Sequence, residues 1–218
     1  MHWVAEAYRT TLGKKLVMAA TGTILLVFVV VHMLGNLQIF LGAEAINRYG
    51  RFLRLEPALL WAARLVLLAS VLVHIVAAVQ LTLVNWAARP IGYAKREYRA
   101  TDYASRTMVW SGPIIAAFVV YHLLHLSTGT VHPDFVPGDV YHNVVTGFSV
   151  WYVSAFYVAA QLLLGLHLYH GVWSLSQTFG VTHPALEVWR RRLAQGTAVV
   201  VVLGNCSVPV AVLTGLVR

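Results

Sequence analysis

Long apolar runs broken by short polar segments organise this chain. Five of them cover residues 16–41, 58–86, 107–128, 151–178 and 193–217. A helix rises about 1.5 Å per residue and a bilayer core is about 30 Å thick, so roughly 20 apolar residues suffice to cross it. Each run meets that length. The pattern predicts an all-α integral membrane protein, a five-transmembrane-helix bundle forming a single membrane domain over residues 1–218. The first run follows Lys14 and Lys15, as the apolar part of a signal peptide would. It is too long for that and lacks a small-x-small cleavage site before its polar end, so it reads as a retained helix.

Composition agrees with a membrane protein. Of 218 residues, 59% are hydrophobic and 11% charged, with a mean hydropathy of +0.70. Soluble domains of this size carry about 25% charge. The net charge of +8 arises from basic residues grouped between the apolar runs rather than along a stripe, so no nucleic-acid partner is expected. The single cysteine, Cys206, excludes an internal disulfide and a four-cysteine cluster, and no C-x-x-C-H is present to attach a haem covalently.

The basic residues also predict orientation. Alternate connections put Arg9, Lys14, Lys15, Arg89, Lys95, Arg96, Arg99, Arg106, Arg190, Arg191 and Arg192 on one side. Arg48, Arg51, Arg54, Arg64 and Arg218 fall on the other. Eleven against five places the N-terminus inside and the C-terminus outside. Connection 85–105 is then internal and basic, while 129–147, punctuated by Pro and Gly and free of Lys and Arg, is external.

Inside the runs the notable residues are histidines: His32, His74, His122, His125, His167 and His170, with no Asp or Glu in any apolar core. Ionisable groups at that depth are costly and point to function. Imidazoles without carboxylates suit neutral ligands to haem iron better than a proton pathway. His32 lies 17 residues beyond Lys15 and His122 lies 16 beyond Arg106, which puts both about 24–26 Å from the inner surface. His74 follows Ala58 by 16 residues and His167 follows Trp151 by 16, so both lie about 24 Å from the outer surface. Four histidines from four helices at two levels predict two bis-histidine haems. Gly35, Ala77, Ala78 and Gly171, each one turn from a histidine, would let helices approach such a group, although ordinary helix packing also uses small residues. His125 and His170, three residues beyond His122 and His167, are rival ligands or partners for propionate or quinone. His2, His132, His142 and His183 lie in connections and are read as solvated.

The ordered motifs resemble a known family. They are Gly13-Lys14-Lys15 with Met18, Thr21 and Gly22; His32-Met33-Leu34-Gly35-Asn36-Leu37; His74 with Asn85-Trp86-Ala87-Ala88-Arg89-Pro90; Tyr121-His122-Leu123-Leu124 with Thr128-Gly129-Thr130; and His167 with Gly171, Trp173, Ser174 and Gly180. Together they are similar to the diheme cytochrome b membrane subunit of succinate dehydrogenase and fumarate reductase, in its single-chain, five-helix form. The resemblance covers nearly the whole chain. It implies two haem b groups, with His32 and His122 on the outer one and His74 and His167 on the inner one, in preference to His125 and His170. It further implies a flavoprotein subunit and an iron–sulfur subunit docked on the inner side, electron exchange with a quinone (menaquinone the expected species), and a prokaryotic cytoplasmic membrane. The succinate site would lie on a partner chain, and the complex is open to higher oligomerisation. Candidate quinone contacts at inner helix ends are Lys14, Thr21, Arg89, Ser174 and Gln177, each equally readable as an interfacial anchor. Connection 85–105 and the N-terminal segment are candidate docking surfaces, or simply solvated positive-inside segments. No acid lies near His167, which speaks against a proton path through an acid on the fourth run. Two other readings stay open: the diheme cytochrome b of another quinone-linked dehydrogenase, and a haem-free anchor or transporter.

Overall fold

The computed structural model describes residues 2–88 and 103–218. Arg89, Lys95, Arg96, Arg99 and most of connection 85–105 lie outside the described residues, as does the side chain of His2. Among the described residues the fold is helical without strands, and five of its helices are long and apolar enough to cross a membrane.

A short helix, α1 (His2–Arg9), turns at Thr10 into the first long helix, α2 (Thr11–Asn36). Thr10 makes the corner by accepting a bond from the Gly13 N–H at 2.9 Å, which satisfies one of the free amides at the start of α2. Lys14 folds back over α1, donating to the carbonyls of Tyr8 and Arg9 at 3.2 and 2.8 Å. Past Asn36 the chain tightens into a 3-10 turn, Leu37–Leu41, and pivots on Gly42 at φ 95° into α3 (Ala43–Phe52). Pro57, pre-set for a first helical turn, opens α4 (Pro57–Ala87).

The third long helix, α5 (Tyr103–His122), ends in a π-turn over Leu123–Ser127. There the Thr128 N–H reaches back five residues to the Leu123 carbonyl at 2.9 Å. Asp139 caps α6 (Val140–Ser149), and one extended residue, Val150, separates it from α7 (Trp151–Thr178). A 3-10 turn, Pro184–Leu186, leads into α8 (Glu187–Leu213).

Helix α7 coincides with its predicted run, and α4 exceeds its own by one residue at each end. The other three differ. α2 begins at Thr11, five residues early, because the Thr10 cap starts the helix before apolarity does. α5 begins at Tyr103. α8 starts at Glu187 rather than 193, since Glu187 binds Arg190 and Arg191 within the first helical turns and carries the basic cluster in helix. It stops at Leu213, where the chain turns through Gly215 at φ 73°, short of the expected 217. Helices α1, α3 and α6 occupy segments read from sequence as connections.

α7 packs most extensively on α8, α2 on α4, and α5 on α7. Gly165 and Gly204 permit close approach between long helices, since a side chain at either would collide with Val202 or Met33. Within the bundle, Asn205 donates to Gln161 at 3.0 Å and joins α8 to α7 by a polar contact in apolar surroundings. Large side chains such as Leu65, Leu68, Leu72 and Leu203 are exposed on the outward faces, as lipid-facing positions would be. Helices α3 and α6 pack on each other and close one end of the bundle over a core that includes Ile39, Ile46, Val144, Phe148 and Val208.

Candidate functional site

The bundle brings the four long-run histidines together in two pairs. His32 of α2 faces His122 of α5, ring centres 5.8 Å apart and planes at 85°. His74 of α4 faces His167 of α7 at 6.3 Å and 54°. Two imidazoles on opposite sides of one metal, each held by a bond of about 2 Å with the nitrogen about 1.1 Å from its ring centre, have centres roughly 6.2 Å apart. Both pairs match that spacing. The pairs also sit at different levels. Gly22 lies against the His74 ring, where an added Cβ would be 3.3 Å from Cε1, and His32 is ten residues further along the same helix, about 15 Å away.

The helices that carry each pair do not pack closely on one another: α2 packs on α4, α7 and α8 but not on α5, and α7 packs on α5 and α8 but not on α4. The imidazoles therefore reach across openings between helices. One turn from His167 there is open space at Gly171, where an added Cβ would meet nothing within 4 Å. Gly35 is different. The ring of Tyr49 from α3 fills the space next to it, so this glycine serves helix packing. Ala77 is fully buried.

Hydrogen bonds fix the proton on His74. Its Nδ1 lies 3.2 Å from the Met18 carbonyl and 3.2 Å from Thr21 Oγ1. The Thr21 hydroxyl gives its own proton to the Val17 carbonyl at 2.8 Å, so toward His74 it can only accept. Two acceptors at Nδ1 put the N–H there and leave the Nε2 lone pair free, the tautomer a metal-binding histidine needs. His167 Nδ1 is buried without a partner.

At the other level each histidine is stacked on a phenylalanine one turn earlier: His32 on Phe28 at 5.3 Å and His122 on Phe118 at 6.0 Å. His122 Nδ1 lies 3.3 Å from the Tyr157 hydroxyl. The fully buried His125 does not face His32; its Nδ1 meets the same hydroxyl at 3.0 Å. His170 sits beside Trp173 on α7, with ring centres 6.4 Å apart.

Of the connection histidines read as solvated, His183 is exposed and His142 partly so, while His132 is packed into the fold, and each has a polar partner. His132 stacks on His125 at 4.9 Å, donates from Nε2 to the Asn143 carbonyl at 2.8 Å and accepts at Nδ1 from the Asp134 N–H. His142 lies on α6 with Nε2 3.2 Å from an Asp134 carboxylate oxygen. His183 caps the 3-10 turn through Ala185 N–H at 3.2 Å. A connection position carries no depth information, so sequence spacing could not distinguish these roles.

Three of the candidate quinone contacts have local hydrogen-bond partners. Lys14 caps α1 and Thr21 supports His74. Ser174 bonds back to the Gly171 carbonyl at 3.1 Å, and Gln177 is exposed at the end of α7. Arg89 lies outside the described residues. Sequence reading missed Tyr157, Phe28 and Phe118. The two phenylalanines carried a usable signal, an aromatic four residues before a membrane histidine.

Comparison of the chain with protein-family models, with curated proteins and with solved structures finds no match.

Proposed function

We propose that this chain is the diheme cytochrome b subunit that anchors a succinate:quinone oxidoreductase or fumarate reductase in the membrane. The observation that carries the reading is the pair of cross-bundle imidazole couples, 5.8 and 6.3 Å between ring centres, each bridging helices that do not pack on each other. The donor set fits haem iron: neutral imidazoles without carboxylates, one tautomer fixed by Met18 and Thr21, and open space at Gly171, one turn from His167. The choice of complex rests on the motif resemblance.

His74 and His167 would hold the inner haem, His32 and His122 the outer. Held by these imidazoles, each haem would supply one-electron transfer rather than substrate chemistry. The protein's part is to hold each couple at fixed spacing and to exclude water. Phe28 and Phe118 wall the outer couple, and α3 with α6 closes that end of the bundle. The Lys and Arg distribution places the α1 end inside the cell, where a flavoprotein and an iron–sulfur subunit would dock. Quinone, menaquinone in the first instance, would bind near the inner helix ends, with Ser174 and Gln177 the candidates left at the end of α7.

A reduced-minus-oxidised spectrum with a pyridine haemochrome assay on the purified complex tests the reading. Two b haems per chain are expected. His74→Ala and His122→Ala should each remove or disturb a different one. A colourless protein would sink the proposal.

A further inference from the structure

Tyr157 is 5% exposed. Its ring is held edge-on by Phe118 at 5.0 Å and Phe148 at 4.7 Å, and its hydroxyl lies between His122 Nδ1 at 3.3 Å and His125 Nδ1 at 3.0 Å. A phenol has one proton to donate. It can therefore satisfy only one imidazole as donor and must accept from the other. If His122 coordinates through Nε2, as the facing His32 requires, its Nδ1 carries the N–H and must donate. The Tyr157 oxygen is then the acceptor, and the Tyr157 proton goes to His125 Nδ1, the shorter of the two contacts.

His125 is itself fixed. It stacks on His132 at 4.9 Å, and Gly147 presses on the pair so closely that an added Cβ would fall 2.8 Å from His125 Cε1 and 2.9 Å from His132 Nε2. The π-turn of Leu123–Ser127 lets both imidazoles, three residues apart, reach one hydroxyl. Such turns are frequent at functional sites.

We propose that Tyr157 is a positioning residue for the outer haem: its oxygen holds the His122 Nδ1 proton, and His125 orients the hydroxyl that does so. This rests on the diheme reading above. An acceptor at Nδ1 raises the basicity of the coordinating nitrogen, which favours the oxidised iron.

The test is redox titration of the purified full complex, following the two haems separately. In Tyr157→Phe, which keeps the ring and loses only the hydroxyl, the midpoint potential of the haem that His122→Ala disturbs should rise, while the His74-dependent haem stays where it was. Loss of the outer haem alone, with the inner one retained, carries the same meaning. Unchanged potentials in a complex still holding two haems, or equal shifts in both, would overturn the positioning role and leave the diheme reading intact. A wild-type complex without haem would instead overturn the diheme reading. If Tyr157→Phe does not accumulate, His125→Phe removes the acceptor that orients the Tyr157 hydroxyl and so loosens its oxygen from the His122 N–H. The same single-haem shift is then expected, and its absence counts against the proposal.

Discussion

Gly147 shows how narrowly the outer histidines are fitted. With two imidazoles within 3 Å of where its side chain would begin, Gly147→Ala has to displace the His125–His132 stack or bend α6. Overpacking of this kind costs about 1–3 kcal/mol, so the variant should unfold at lower temperature in detergent. Under the proposed diheme reading it should also perturb the haem that His122 would hold without touching the one that His74 would hold, which separate redox titration of the two would show. At this scale the sequence was informative where burial is expensive. His32, His74, His122 and His167 stood out because an ionisable ring in an apolar run needs a reason, and the structure sets them in the expected pairs. Tyr157 did not stand out, since a membrane helix carries tyrosines for many purposes. Nor could spacing reveal that Thr21, a plausible quinone donor by position, would turn its oxygen to His74.

Helices α3 and α6 depend on a small polar hinge. The Asp139 carboxylate caps α6 by accepting from the His142 N–H at 3.0 Å and takes a second bond from Asn47 Nδ2 of α3 at 2.9 Å. Asn47 Oδ1 in turn accepts from the Tyr141 N–H at 3.0 Å. The two donors hold the Asp139 carboxyl below the usual carboxylate range. A lowered folded-state pKa means this contribution is complete above the unfolded value of about 3.9 and is lost as pH falls through the folded value. Protection factors for hydrogen exchange in α3 and α6, taken against the intrinsic rate at each pH, should therefore fall below about pH 4. Asp139→Ala should lower them already at neutral pH, at a cost of about 1 kcal/mol; unchanged exchange would show the hinge to be unimportant. The long helices were legible because length and apolarity alone define a membrane span. These short ones were not, because ten residues of mixed polarity look the same in a loop and in a helix held by tertiary contacts.

At the scale of the whole molecule the sequence assigns eleven of its sixteen Lys and Arg to the N-terminal side, and under the positive-inside rule that side is expected to face inward. In a Cys206→Ser background, Arg218→Cys should label with a membrane-impermeant maleimide in intact cells, and Glu6→Cys only after permeabilisation; the reverse pattern would invert the proposed topology and move the partner subunits to the other face. Helix α2 packs on α4, α7 and α8, and α5 packs on α7, while each histidine couple spans two helices that do not pack closely on each other. No apolar pattern encodes such an arrangement, because the residues that face lipid and those that face an opening between helices are equally hydrophobic. The π-turn at Leu123–Ser127 has a bearing on this architecture as a register shim. It holds one residue more than an α-turn, and the surplus sets the rotation of everything before it against everything after. Removing a single residue there would let the helix close with ordinary bonds, yet it would swing His122 and the whole of α5 by about 100° about its axis, as a key cut one notch out still slides into the lock but no longer meets the pins.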